Sequence, residues 1–361
     1  MKAPHLIKKI ILSLPFVLPY LEKRAYKRRI EAICTRIEGE VLEEARREYA
    51  KEQPTCATWE EYLAAFEKHR VEYSEFFHQS EFWKKSDEEI EEFVIETKQR
   101  QFYHRNVAKE VISMFWSKAN FLRAFPEYIH RRWLLAREAS FEEFKELVTS
   151  TDCIAKPECD TCGKGIFKTK RGEALDIRKL YDECVRDNMI IEECIHGCSE
   201  LQRFHPQSLN SIRVVTIGNE RDGEVFGALF RMGVGNNVVD NAHAAGVFAS
   251  IDVETGVVDS DAINATGDKF ETHPDTGIPI KGFQIPEWER IKETCIQAAR
   301  KYKNVFIVGW DVALGQQHEV IFIEGNHAPG FTAMQSPRLI GEKRRLQQVI
   351  SKYHGNRYKL P

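Results

Sequence analysis

Asp311, Glu324 and Asn326 are the residues whose types and spacing first suggest chemistry. Asp311 opens the short apolar run Asp311–Leu314, which follows a similar run, Val305–Val308. Glu324 and Asn326 close the run Glu319–Glu324. Two antiparallel strands joined by a short turn bring such oxygens side by side. Two carboxylates and an amide oxygen suit a hard cation such as magnesium, which keeps waters or phosphates in its remaining positions. Taken alone, the same residues also describe a hairpin with surface acids.

Upstream residues add complementary charge. Lys156 ends a predicted strand, Cys153–Pro157, and leads into a loop, Pro157–Ile166, that carries Gly163 and Gly165. Glycine N–H groups in such a loop can close over phosphates. No Gly-Lys-Ser/Thr follows, so this is not a Walker loop. The strand Ile190–Ile195 runs into His196-Gly197, with Glu200 beyond, and a strand ending in a glycine turn offers backbone donors and acceptors to an adenine edge. Arg213 and Arg231 fall on successive predicted strands, where they aim two cations at anionic groups or make ordinary salt bridges. No Ser-His-Asp or Cys-His arrangement stands out, so a protein nucleophile is not expected.

These residues need a scaffold, and the hydrophobic pattern supplies one. Up to about residue 105 the periodicity is helical, with an apolar stripe at Ile33, Ile37 and Val41. Thr58–Glu61 and Ser86–Glu89 have capping-box spacing, and Tyr62, Phe66, Tyr73 and Phe93 follow. Pro15 and Pro19 are expected to interrupt any long helix at the start. After a third capping box, Ser140–Glu143, helix and strand alternate: a helix over Asp176–Asp187, strands over Ser211–Ile217, Val225–Met232, Val247–Asp252 and Val257–Val258, and a helix over Pro286–Tyr302. The expected class is α+β in three parts: a helical region over 1–105, a smaller α+β unit over 106–200, and a larger one over 201–361.

Composition narrows the function classes. With 42% hydrophobic and 30% charged residues the 361-residue chain is an ordinary globular sequence. Its longest uninterrupted apolar stretches are far too short to span a bilayer. No leader-like segment is evident, so a cytoplasmic location is expected, with nine cysteines kept as thiols. Cys159/Cys162 and Cys194/Cys198 have spacings that zinc can use, but both pairs fall within the segments assigned above to a nucleotide pocket. Residues 1–30 hold eight Lys/Arg against Glu22 alone, +7, so the net charge of −3 leaves −10 for the rest. A basic amphipathic start can lie on anionic lipid at the inner face of the membrane. An acidic body with one short basic patch argues against a nucleic-acid partner.

The order of these motifs resembles the ATP-grasp superfamily, and most closely its sugar-transfer-associated branch, whose relatives include glutamate-ligase-type carboxylate–amine ligases. The resemblance runs from Lys118 in Ser-Lys-Ala-Asn-Phe through Lys156-Pro, Ile-Ile-Glu-Glu-Cys-Ile, Arg213, Arg231, Asn241 in Asp-Asn-Ala-His and Asp311 to Glu324-Gly-Asn326-His-Ala-Pro-Gly. The segment from His273-Pro-Asp-Thr-Gly277 to Trp288 is also similar. It implies an ATP-grasp fold, two α+β subdomains clasping ATP, over about residues 110–345 behind the all-helical region. It further implies that Lys118, Lys156, Gly163 and Gly165 hold the nucleotide phosphates. Glu192, Glu193, Cys194 and Ile195 would read adenine, and Glu200 the ribose. Asp311, Glu324 and Asn326 would bind Mg2+, while Arg213 and Arg231 stabilise the transferred phosphoryl group. Asn241, His243, His273 and Lys281 are its substrate-side candidates, although each histidine suits packing or capping as well. The chain departs from the family pattern in its helical start, in Cys159 and Cys162 within the phosphate loop, and in Ala244-Ala245-Gly246 where some amino-acid ligases carry a basic residue. The implied activity is Mg-ATP-dependent joining of a carboxylate to an amine through an acylphosphate, on sugar or sugar-linked substrates of cell-envelope polysaccharide, with glycosyltransferases as partners. The alternatives are a phosphotransferase on the same fold and a nucleotide-binding scaffold of a glycan assembly complex.

Overall fold

The computed structural model describes residues 17–159, 165–173, 176–235 and 246–361, with side chains from Tyr26 onward. Gly163, Cys162, Asn241 and His243 therefore lie outside the described residues.

Helix α1 (Val17–Glu52) runs for 36 residues, contrary to the interruption expected at Pro19, while Pro15 lies outside the described residues. Pro19 sits in its first turn, where a missing N–H breaks no intrahelical bond. Its buried stripe, Ile37, Val41 and Ala45, packs with Tyr62 and Phe66 of α2 (Trp59–His69) and with Tyr73, Phe76 and Phe77 beyond it. Capping boxes close α2 at Thr58 and α3 (Asp87–Glu91) at Ser86, as their spacing predicts. Three more helices follow: α4 (Glu96–Asn106), α5 (Lys109–Trp116) and α6 (Lys118–Ala124). Among the described residues no strand precedes Trp133.

A four-stranded antiparallel sheet comes next: β1 (Trp133–Leu135), β2 (Cys153–Pro157), β3 (Phe167–Thr169) and β4 (Met189–Glu193), in the order β1-β4-β2-β3. Helices α7 (Phe141–Ser150), with its capping box at Ser140, and α8 (Ile177–Arg186) supply Phe144, Leu147, Val148 and Cys184 to one core with Ala155, Met189 and Ile191.

After the short α9 (Ser199–Gln202) comes a seven-stranded antiparallel sheet in the order β11-β10-β5-β6-β7-β8-β9. Its strands are β5 (Ser211–Gly218), β6 (Gly223–Met232), β7 (Val247–Ile251), β8 (Ala262–Ile263), β9 (Lys269–Phe270), β10 (Ile307–Leu314) and β11 (Val320–Asn326). Successive strand residues face opposite sides. Ile212, Val214, Phe230, Val308 and Trp310 face the core shared with α10 (Trp288–Arg300). Val215, Ile217, Leu229 and Ile307 face the other side, toward α11 (Thr332–Gln335) and α12 (Lys343–His354). Arg213, Arg231 and Asp311 share the odd-numbered alternation of that second side. Helix α4 packs there too, through Phe102 and Tyr103.

Three expectations need correction. Val305–Val308 and Asp311–Leu314 belong to a region with one strand, β10, which continues through Gly309. A Cβ at Gly309 would lie 2.9 Å from Pro329 Cβ and 3.3 Å from Arg213 Cδ, so glycine here makes room and does not break the strand. Val257 and Val258 form only isolated bridges, to Gln284 and Ile251. The helix expected from Pro286 starts at Trp288, after Glu287 turns with φ +54°. No helix among the described residues is long and apolar enough to cross a membrane.

Candidate active site

Asp311 is 4% exposed and stands opposite Arg213 on β5 and Glu324 on β11. Arg213 grips its carboxylate with Nε and with Nη2, the latter at 2.8 Å, and Arg231 Nη1 reaches Asp311 Oδ2 at 3.0 Å. Burial pushes the Asp311 carboxyl up, but the two guanidinium groups outweigh it and hold the group well below the usual carboxylate range. A β-bulge between Asp311 and Val312 re-registers β10 against β11 just where Glu324 meets Asp311. Asn326 lies two residues on, and its Oδ1 accepts the Ala328 N–H at 2.8 Å. Burial, and then the charge of Asp311, push the Glu324 carboxyl up, against the pull of Lys118, Arg213 and Lys156. Two opposed carboxylates with an amide oxygen beside them fit a divalent cation, which would relieve that repulsion.

The facing wall comes from the smaller sheet. Lys156 Nζ lies 3.0 Å from Glu192 Oε1, and Arg131 donates to Glu192 Oε2, with Nε at 2.5 Å. Burial works to raise Glu192, yet Arg131 and Lys156 hold it down to about 2. Arg131 also donates to the carbonyls of Phe322 at 2.8 Å and Ile323 at 3.2 Å, next to the bulge. One guanidinium thus ties the smaller sheet to the larger one. The Glu192 side chain acts as a clamp on two cations and does not line the cleft, whereas Glu193, Cys194 and Ile195 do. The N–H groups of Glu193 and Cys194 already donate to Arg132 O and Asp152 O, so the unpaired strand end that an adenine edge requires begins beyond them.

Lys118 opens α6, whose N-cap Ser117 accepts the Asn120 N–H at 3.1 Å. The Lys118 N–H donates to Glu158 O at 3.1 Å, and the Ser117 hydroxyl donates to the Glu158 carboxylate. The start of the glycine loop is thereby fastened to the helix that carries Lys118. Cys159 donates to Glu158 at 2.5 Å, and burial followed by that carboxylate raises its thiol to about 11, so it is no nucleophile near neutral pH. Gly165 adopts φ +72°. Lys118, Lys156, Arg213, Arg231, Asp311, Glu324 and Asn326 all line one cleft of about 1340 Å³, roomy enough for a nucleotide and a second substrate.

The remaining candidates stand apart from that cleft. Glu200 accepts from His318 at 3.0 Å beside α9. Buried His273 donates from Nε2 to Gly233 O at 2.7 Å and accepts the Asp275 N–H at Nδ1, an arrangement for a neutral packing histidine. Burial lowers its pKa accordingly. Lys281 is exposed on a turn. Sequence reasoning missed Arg131, Lys168 and Lys170, and the α4 residues Glu96, Arg100 and His104, all of which line the cleft. The i, i+4, i+8 spacing of the last three was a legible signal, since it puts them on one helix face. Arg131 has no such pattern.

No curated protein matches the sequence. Among solved structures, the ATP-grasp ligase PsnB complexed with a minimal precursor, Mg and ADP is 13% identical, with a TM-score of 0.39 over 67% of this chain and 61% of that one. The D-alanine–D-alanine ligase from Coxiella burnetii is 11% identical, with a TM-score of 0.42 over 73% of this chain and 65% of that one. The chain therefore spans a little under two thirds of the length of these structures. A family model described as sugar-transfer associated ATP-grasp matches residues 130–351, which take in both sheets and the cleft residues they carry, and the chain belongs to that family.

Proposed function

We propose that this protein is a Mg-ATP-dependent carboxylate–amine ligase acting on a sugar or sugar-linked substrate of cell-envelope polysaccharide, at the cytoplasmic face of the membrane. The observation that carries the reading is the opposition of Asp311 to Glu324 in a cleft that Lys118, Lys156, Arg213 and Arg231 also line. Phosphoryl transfer depends mainly on positioning and cationic stabilisation, and this cleft offers both without a protein nucleophile. Asp311, Glu324 and Asn326 would hold Mg2+, which neutralises charge on the β- and γ-phosphates when bound. Lys118 and Lys156 would grip the phosphates, with Glu192 keeping Lys156 in place. Arg213 and Arg231, fixed by Asp311, would face the phosphoryl group as a substrate carboxylate oxygen bonds to it and its bond to ADP breaks. An amine then bonds to the acyl carbon, and phosphate leaves with the electron pair of the broken C–O bond. The family's description supports the sugar assignment.

The test supplies purified protein and Mg-ATP with uronic acids, amino sugars and amino acids, and weighs the products. Dehydrative coupling with free phosphate is expected. A product heavier by one phosphoryl group, with no free phosphate, would instead mark a kinase. Glu324→Gln and Asp311→Asn should each lower turnover by at least about 100-fold. Asparagine is chosen over alanine at 311 because its amide oxygen still accepts from the arginines, whereas alanine would leave both guanidinium groups without that acceptor. Normal turnover in either variant would remove the metal assignment.

A further inference from the structure

Helix α4 lies outside the residues matched by the family model, yet it walls one part of the cleft with Glu96, Arg100 and His104. Its position is set by the loop that follows Asn326. Tyr103 donates to Pro329 O at 3.0 Å, Gln99 donates to the same carbonyl, and Gln99 Oε1 accepts the Phe331 N–H at 3.1 Å. The helix is therefore docked directly beside the strand end that carries Glu324 and Asn326. Glu96 accepts from Thr332 at 3.3 Å. Arg100 pairs with Glu72, while its buried Nε has no hydrogen-bond partner among the described residues. Glu96 and Arg100 thus bring an acid and a cation together on the cleft wall, next to the strand end that carries Glu324 and Asn326.

Resting on the ligase reading, the geometry points to Glu96 as the group that docks the ammonium of the amine acceptor and removes one of its protons, with the Arg100 guanidinium beside it drawing an oxygen of the same acceptor. The amine nitrogen, its lone pair freed, bonds to the acyl carbon. The C–O bond to phosphate breaks, and the second nitrogen proton departs with the phosphate. Burial, and then the charge of Glu72, raise the Glu96 carboxyl to about 7, against the pull of Arg100 and Thr332. Glu75, raised to about 8 by burial and then by Glu72, accepts the Glu96 N–H at 2.9 Å; Arg100, Tyr103 and Glu72, the last itself raised by burial, are further charged or titratable groups that interact with Glu96. Glu96 is thus protonated below about pH 7 and able to accept a proton above it.

Hydroxylamine separates the two half-reactions, because it is unprotonated near neutral pH and traps an acylphosphate without a base. Wild type and E96Q receive Mg-ATP, a panel of uronic and amino acids, and either hydroxylamine or glucosamine. We expect hydroxamate from both proteins and amide from wild type, with amide formation in E96Q reduced roughly 100-fold or more. In wild type, amide formation should fall as pH drops below about 7, and hydroxamate formation should lack that limb. Undiminished amide in E96Q, or a matching limb in both reactions, overturns the inference and leaves the ligase standing. Loss of hydroxamate along with amide in E96Q also overturns it, since Glu96 would then serve the fold or the first step. No product of either kind from wild type overturns the ligase reading and this inference together.

Discussion

At Glu192 two cations meet one carboxylate that is 1% exposed, and Arg131 is nearly as deeply buried as the acid it holds. Removing one partner of a buried ion pair leaves uncompensated charge, which typically costs about 3–5 kcal/mol. Glu192→Ala should therefore lower unfolding free energy by about that amount in urea titrations, whereas Glu200→Ala, half-exposed beside His318, should change it by less than about 1 kcal/mol. The sign of the pH effect follows from the depressed carboxyl. Its contribution is complete above the ordinary value of 4.5 and is lost as pH falls from 4.5 toward 2. Wild type should lose stability across that window more steeply than Glu192→Gln. Equal acid limbs would show that the clamp contributes nothing to stability.

Helix α4 and the loop after β11 form the element on which the second wall of the cleft depends. Gln99 and Tyr103 are buried, and together they satisfy the Pro329 carbonyl and the Phe331 N–H. Gln99→Ala leaves a buried donor unsatisfied and should cost about 1–3 kcal/mol. Tyr103→Phe removes one donor from a carbonyl that keeps another, but it also takes away the hydroxyl that accepts from Gln99 at 2.8 Å, and should cost about 1–3 kcal/mol. Chemical denaturation of the two variants checks both magnitudes. If α4 walls the acceptor site, Gln99→Ala should also raise KM for the amine more than KM for ATP.

Across the whole molecule, charge is divided between a basic start and an acidic remainder. Ile30 is buried, whereas Lys27, Arg28 and Arg29 are exposed on the same helix. Each cation near an anionic surface is worth about 1 kcal/mol. Reversing the three charges to Glu should weaken partitioning onto phosphatidylserine-containing vesicles by about two orders of magnitude or more at low salt, with nucleotide turnover unchanged. Equal co-sedimentation of both proteins would identify the segment as an ordinary solvated face.

Local rules determined much of this protein from sequence alone. Capping boxes at Thr58, Ser86 and Ser140 mark helix starts because hydroxyl and carboxylate sit a fixed three residues apart. Arg213 and Arg231 on one sheet face, and Asp311 and Glu324 at a strand pair, follow from alternation and a short turn. Gly309 looks like a strand break in the sequence, because Pro329 and Arg213, which leave no room for a Cβ there, approach it only in the folded protein. What tertiary structure alone decided is where distant charges meet. Glu192 looks like part of an adenine-reading strand until Arg131, 61 residues earlier, and Lys156 close on its side chain. Glu96 and Arg100 belong to a front-end helix by periodicity, yet they reach the cleft because Gln99 and Tyr103 bind a loop more than 220 residues away. Helical and strand periods describe a residue's face. Which other face it meets depends on packing between elements, and no local pattern encodes that.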